Sequence, residues 1–227
     1  MFFATKNNPK GPKIERSEEI RFDLSGCDLF LKIPSGNEPS LPESGDQFIP
    51  KVNIYDYSHK KWDKNSNTKS INILSRLFNY SGFMSESLGT MHAYINVHCL
   101  QDSAVNLFNK NNFSDYIKQY SNSYCNDINS SINDTQLQLP LPDTIKAIEF
   151  SNVSFLVYRL QKPGIERAFY HSAISENCHI EIMFRYGSPC DTNSKWYEKA
   201  RDLESVIISS VEITLTESSN TAKLSAV

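Results

Sequence analysis

The sequence predicts an α+β protein, a mostly antiparallel β-sheet with helices packed on it. Three observations predict this class. Several short runs alternate apolar and polar residues at strand period. Two segments repeat apolar or aromatic residues at spacings of 4, 3 and 4, the stripe of an amphipathic helix. These two segments follow runs of strands and do not alternate with single strands, so the order is not the βαβ repetition of a parallel sheet. The 227 residues are enough for one sizeable core. We expect a flexible, partly basic arm over residues 1–19, a single domain over 20–215 and a polar tail over 216–227.

In chain order, Ile20, Phe22 and Leu24 alternate with other residues, as do Leu29, Leu31 and Ile33. The turn-like Ser25-Gly26-Cys27-Asp28 between them predicts a hairpin. Pro34 to Pro50 holds four prolines and two glycines and reads as a long irregular connection. Lys51 to Tyr57 has short strand character. His59 to Lys69 is a basic loop around Trp62. Ile71 to Tyr80 is apolar-rich and fits either a strand or a short helix. Ser81-Gly82 and Leu88-Gly89 bracket a turn region.

Met91, Ala93, Ile95, Val97 and Cys99 alternate with His92, Tyr94, Asn96 and His98. This is the clearest strand, and its polar-aromatic face suits a sheet face that is partly open. Phe113, Ile117, Tyr120 and Tyr124 predict a helix over 112–125 capped by Asn111 or Asn112. Asn126 to Gln138 reads as a polar loop. Val153 to Val157, Ala168 to Ile174 and Ile180 to Tyr186 form a strand meander broken at Lys162-Pro163-Gly164 and Ser175-Glu176-Asn177. Trp196, Ala200, Leu203 and Ile207 predict a helix over 194–209 with Ser194 as N-cap. Val211, Ile213 and Leu215 give a final strand.

Composition excludes several functions. A net charge of −3 and a pI near 6.0 give no general pull toward nucleic acid or anionic membranes. No stretch approaches the roughly 18 apolar residues of a membrane span. Only 8 glycines are present, and no phosphate-cradling loop, nucleophile elbow or metalloprotease motif occurs. No cofactor is expected. Five cysteines without a C-x-x-C pair fit reduced, buried thiols, with one or two bridges if the chain is exported. Met1 to Ala4 is too short for the apolar core of a secretory signal, so the chain as written reads as cytoplasmic, and as periplasmic if a leader has been removed.

Four groups of residues are candidate sites. His92 and His98 share a strand face and are candidates for acid–base work, but six residues of strand put them roughly 20 Å apart, too far to share a metal. His171, Cys178, His179 and Glu181 gather near one hairpin turn; Cys178 and His179 point to opposite faces, which argues against zinc. Carboxylate pairs such as Asp23 with Asp28 or Glu176 with Glu181 show no sign of burial. The His59 to Lys69 loop reads either as a solvated loop with Trp62 tucked into the core or as a contact in which Trp62 with Lys60 and Lys61 suits a protein partner better than single-stranded nucleic acid, given the acidic whole.

The stretch "IRFDLSGCDLFLKIP" resembles the opening strand pair of Mog1/PsbP-like domains. "FSDYIKQYSNSY" resembles their middle helix. "VSFLVYRL", "RAFYHSAISENCHIEIMFRYG" and "WYEKARDLESVIISSVEI" resemble their closing meander, helix and strand. The resemblance spans about Ile20 to Leu215, rests on pattern and order, and implies a Mog1/PsbP-like sandwich in a family of binding and assembly proteins. The closing stretch also resembles small bacterial immunity proteins paired with secreted antibacterial toxins, including those of type VI secretion.

The expectation is therefore a non-enzymatic protein that binds a cognate toxin and occludes its active site. Trp62, Lys60, Lys61, Tyr55 and Tyr57 would form the contact, with Glu176 and His179 as a second patch. The alternatives are an enzyme using His92 or His98 on the open sheet face, and a PsbP-like assembly factor.

Overall fold

The alternating runs pair into two antiparallel sheets. The computed structural model describes residues 4–37, 47–63, 68–101, 105–134, 138–162, 165–187 and 192–216. β1 (Ser17–Asp23), β2 (Cys27–Pro34) and β10 (Glu212–Leu215) make a small sheet in the order β1-β2-β10. β3 (Gln47–Phe48), β4 (Thr68–Ser81), β5 (Ser87–Leu100), β6 (Lys146–Phe150), β7 (Val153–Lys162), β8 (Ile165–Ala173) and β9 (Cys178–Tyr186) make a large one. Its order is β3-β4-β5-β9-β8-β7-β6. The two helices are α1 (Lys110–Ser130) and α2 (Lys195–Ser209). The chain is thus α+β with a dominant antiparallel sheet.

Each face of the large sheet has its own cover. Ala93, Ile95, Val97, Ile180, Ile182 and Phe184 pack on one face against the small sheet and against Trp196, Ala200, Leu203 and Ile207 of α2. On the other face, Leu100, Leu160 and Phe169 pack under Phe113, Ile117 and Cys125 of α1. The period-2 alternation of β5 sends its apolar residues to the first face and its histidines to the second, where α1 covers His98.

Several expectations are corrected. The N-terminal segment is not a loose arm: Lys10 and Ser81 exchange backbone hydrogen bonds of 2.8 Å, and Lys199 Nζ donates to the Pro9 carbonyl at 2.7 Å. Residues Ile14–Arg16 form a 3-10 turn that leads directly into β1. Lys51 to Tyr57 is not a strand. It is a series of turns anchored where Val52 N–H donates to the Asp23 carbonyl and Tyr55 N–H to Asn53 Oδ1.

α1 starts earlier and ends later than its apolar stripe suggested. Asn109 is the cap, its Oδ1 accepting from the backbone of Asn111 and Asn112. Neither expected cap, Asn111 or Asn112, holds that position; each donates its backbone N–H to Asn109 instead. Ile128 packs onto the core beneath α1, which carries the helix into the segment that read as loop. Ile71 to Tyr80 resolves as strand. Cys99 and Cys178 sit opposite each other on β5 and β9, with Cα atoms 4.2 Å apart, and form a disulfide. Cys27 and Cys125 are buried free thiols. The expected tail from Glu217 onward, most of the Pro34 to Pro50 connection and residues 64–67 of the basic loop lie outside the described residues.

Candidate functional site

Strand order brings together residues that are far apart in sequence. β5 pairs with β9, so His98 lies opposite His179 and Asn96 opposite Glu181. β9 pairs with β8, so Glu181 also lies opposite His171. Three imidazoles and one carboxylate therefore occupy one face of three adjacent strands. His98 stacks on His179 with ring centres 4.9 Å apart, and His171 lies 5.4 Å from His179. Glu181 accepts from Asn96 Nδ2 at 2.8 Å and from Tyr120 Oη of α1 at 3.1 Å. His98 Nε2 and His171 Nε2 approach its two oxygens at 3.7 and 3.9 Å.

α1 closes this cluster. Tyr116 and Tyr120 set their rings against His179, and all four cluster residues are buried. Burial disfavours the charged imidazolium, so His171 is pushed down to about 4 despite the nearby Glu181 charge, and His179 lies well below its ordinary value. Burial also opposes ionisation of Glu181, but His98 beside it, His171 and the Asn96 amide outweigh that and hold the carboxyl below the usual range. Among the described residues, neither ring nitrogen of His171 or of His179 has a hydrogen-bond partner.

The polar face of β5 was expected to be open. It is covered over His98, while His92, toward the other end of the strand, is bonded to Ser75 Oγ at 2.7 Å and Tyr94 Oη at 2.7 Å. Among the described residues no group of three or more His, Cys, Asp or Glu is placed to hold a metal ion. Cys178 does face away from His179, into the opposite core and its disulfide.

A second polar cluster lies beneath α2. Glu204 accepts from Arg159, Tyr170 and Tyr186, and Glu166 accepts from Arg159 Nη1 at 2.8 Å and Tyr197 Oη at 2.7 Å. Both carboxylates are buried and paired. A surface cavity of about 490 Å³ runs beside the start of α1 between β6–β8 and β10; its charged lining residues are Lys110 and Glu149.

The predicted contact residues divide. Lys60, Lys61 and Tyr55 are exposed and Tyr57 is half-buried. Trp62 is only 4% exposed and packs edge-on against Tyr57, 5.1 Å away, so its ring belongs to the core and not to a contact surface. Glu176 is exposed, but its carbonyl accepts from Leu107 N–H and its carboxylate from Asn106. His179 is fully buried in the cluster described above. It sits one residue past the hairpin turn, on the face that α1 covers.

The tip of the β4–β5 hairpin was read only as a turn. Gly82 N–H bonds to the Glu86 carbonyl at 2.7 Å, and Glu86 N–H to that of Phe83 at 3.1 Å. Between them Phe83 is 58% and Met84 86% exposed, and Met84 has φ of 52°. A non-glycine residue in the left-handed region is uncommon and costs of order 1 kcal/mol or more. The signal in the sequence is an apolar pair between two turn signals, which no core can absorb. β4 has 14 residues, so this tip and the Tyr55–Lys61 loops lie at opposite ends of a strand of roughly 45 Å.

No protein-family model matches the chain, and no curated protein or solved structure is similar to it. Among the described residues no helix is long and apolar enough to cross a membrane.

Proposed function

We propose that this chain is a non-enzymatic protein-binding protein, and specifically an immunity protein that neutralises a bacterial toxin by occluding its active site. The observation that carries the proposal is the Phe83-Met84 tip. The fold spends backbone strain to hold a long, flexible apolar side chain out in water. Burying a methionine side chain in a partner's slot returns about 1.5–3 kcal/mol, and its three torsions let it fill an irregular pocket. An apolar pair held at the end of a hairpin can enter a partner's pocket. The burial of His98, His171, His179, Glu166 and Glu204 supports the non-enzymatic side, since acid–base groups need access to substrate.

A Mog1/PsbP-like relationship belongs to the same proposal; its support is a dominant antiparallel sheet with a helix against each face. We also infer the periplasmic compartment in preference to the cytoplasmic one, because disulfides persist in oxidising surroundings and one joins the two halves of the large sheet.

Growth rescue tests the proposal. Bacteria producing the toxin encoded beside this chain's gene should survive when the chain is co-produced. Met84→Asp should lower rescue at least tenfold while leaving the circular dichroism and thermal midpoint unchanged. Death of cells that contain folded wild-type chain would overturn the immunity role, and full rescue by Met84→Asp would overturn the tip.

A further inference from the structure

We propose that a cationic basin beside the hairpin tip completes the docking surface, and that its occupant is an acidic segment of the partner protein. The inference rests on the tip reading above and adds the chemistry of the partner. The basin is a depression of about 560 Å³, lined by Lys10, Lys13 and Arg16 of the N-terminal segment, by Ser35 and Asn37 after β2 and by Ser81 at the end of β4. Ser81 immediately precedes the tip, so the basin and Met84 belong to one end of the molecule. Ile14, between Lys13 and Arg16 in sequence, is 37% exposed.

The basin is rigid. Backbone bonds between Lys10 and Ser81 tie the segment to β4. Gly11 lies flat on the Tyr80 ring, where a Cβ would come within 2.6 Å of the ring carbons. Arg16 N–H bonds to the Lys13 carbonyl at 3.0 Å and closes the 3-10 turn. Across the basin, Asn37 exchanges hydrogen bonds with the Asn79 backbone, at 2.9 and 2.7 Å. The cations thus stand on an ordered frame, and a ligand need not pay to order it.

All three cations are exposed, and among the described residues none is in an ion pair. The acidic residues nearby are engaged elsewhere or point to other cations: Glu18 pairs with Arg76 and accepts from Ser35, and Glu19 lies by Lys32. Lys10, Lys13 and Arg16, none of them ion-paired among the described residues, gather three cations at one end of a chain with net charge −3. That pattern steers and orients an acidic partner. A nucleic acid fits less well: the residues that line the basin include no aromatic ring on which bases could stack. The occupant that matches both halves is a peptide segment that puts carboxylates over the basin and an apolar socket or side chain against Met84.

The test is fluorescence binding of the full chain to an array of short peptides that combine Asp or Glu with Leu or Phe, each with a Lys-containing control of equal length. Acidic-apolar peptides should bind the wild type and the controls should not. The triple variant Lys10→Glu/Lys13→Glu/Arg16→Glu should weaken binding at least tenfold, with an unchanged thermal midpoint, and so should raising the salt from 0.05 to 0.5 M.

If Met84→Asp abolishes binding and the triple variant does not, the basin falls and the tip stands. If the triple variant abolishes it and Met84→Asp does not, the basin stands without the tip. Absence of binding by every acidic peptide, or an oligothymidylate that competes at equal concentration, would overturn the acidic-peptide occupant. So would a tenfold gain in peptide binding on neutralising Glu38, Glu43 and Asp46, which would make the chain's own acidic segment the occupant.

Discussion

Glu204 shows what one buried carboxylate does here. It is 2% exposed and receives Arg159 from β7, Tyr170 from β8 and Tyr186 from β9, so a single side chain of α2 ties the helix to three strands. Its charge in turn pushes the Tyr170 hydroxyl up, in the same direction as burial, so that group remains a donor. Removing one partner of a buried ion pair leaves the other charge uncompensated and typically costs 3–5 kcal/mol. Arg159 is about a quarter exposed and keeps Glu166, so we expect Glu204→Ala to cost about 3 kcal/mol in urea unfolding, and Glu204→Gln less because an amide oxygen can still accept from the tyrosines. A cost below about 1 kcal/mol for Ala would mean that the network contributes little. Spacing alone put Ala200, Leu203 and Ile207 on the inward stripe, and all three are there. Glu204 shares that stripe, four residues after Ala200. Its role could not be read from the chain because its partners come from strands whose order is set only by tertiary pairing.

At the scale of elements, α1 and the sheet face beneath it form an acid-sensitive joint. The groups that meet there are His98 of β5, His179 and Glu181 of β9, His171 of β8, Tyr158 of β7, and Tyr116 and Tyr120 of α1. The folded pKa of His171 is about 4, below the 6.5 of the unfolded chain, so between these values the unfolded state binds more protons and stability falls as pH falls. The loss amounts to about 3 kcal/mol by pH 4, and His179 shifts in the same direction. Glu181 is held below its unfolded 4.5, so its contribution is present above that value and is lost as pH falls further. Thermal midpoints should therefore be level above pH 7 and begin to drop near pH 6.5, before carboxylates titrate. His171→Phe, a ring that can keep the contacts of His171 with the Tyr158 and Phe169 rings, should make that drop shallower; an unchanged slope would remove His171 from the joint. The elements themselves were legible. The inward face of α1 is the one its spacing marked, and both β5 and β9 show their two faces in period-2 alternation. What periodicity does not encode is which strand neighbours which, so the meeting of His98 with His179, and its closure by a helix, had no signature. The hairpin tip was half-visible for a different reason: a turn was predicted, but exposure of its apolar pair depends on how far the hairpin projects beyond the sheet.

The whole molecule is divided between early and late sequence, and one covalent bond spans the division. In the large sheet, β3, β4 and β5 come from the first half of the chain, and β9, β8, β7 and β6 from the second. They meet only where β5 pairs with β9, and the Cys99–Cys178 disulfide lies at that junction, both cysteines fully buried. They are 79 positions apart, and the loop they close contains α1 and β6 to β8, so every element over the histidine cluster and beyond it belongs to that loop. The odd cysteine count had favoured free thiols; pairing of β5 with β9 decides otherwise, because it places these two side chains on the same face and in register. Cross-linking a loop of that length removes conformational freedom from the unfolded chain worth about 4 kcal/mol in the entropic account. We expect Cys99→Ala/Cys178→Ala to fold to the same circular dichroism spectrum at neutral pH but to lose about 3–4 kcal/mol in urea unfolding, and dithiothreitol to produce the same loss in the wild type once unfolding exposes the bond. The effect should be regional. Only openings that separate β5 from β9 gain from cutting the loop, so hydrogen exchange should quicken in α1 and β6 to β8 while β1 and β2 keep their protection until global unfolding. Equal midpoints for the oxidised and reduced chains would show that noncovalent pairing alone holds the two halves together, and would also withdraw the support that the disulfide lends to an oxidising compartment.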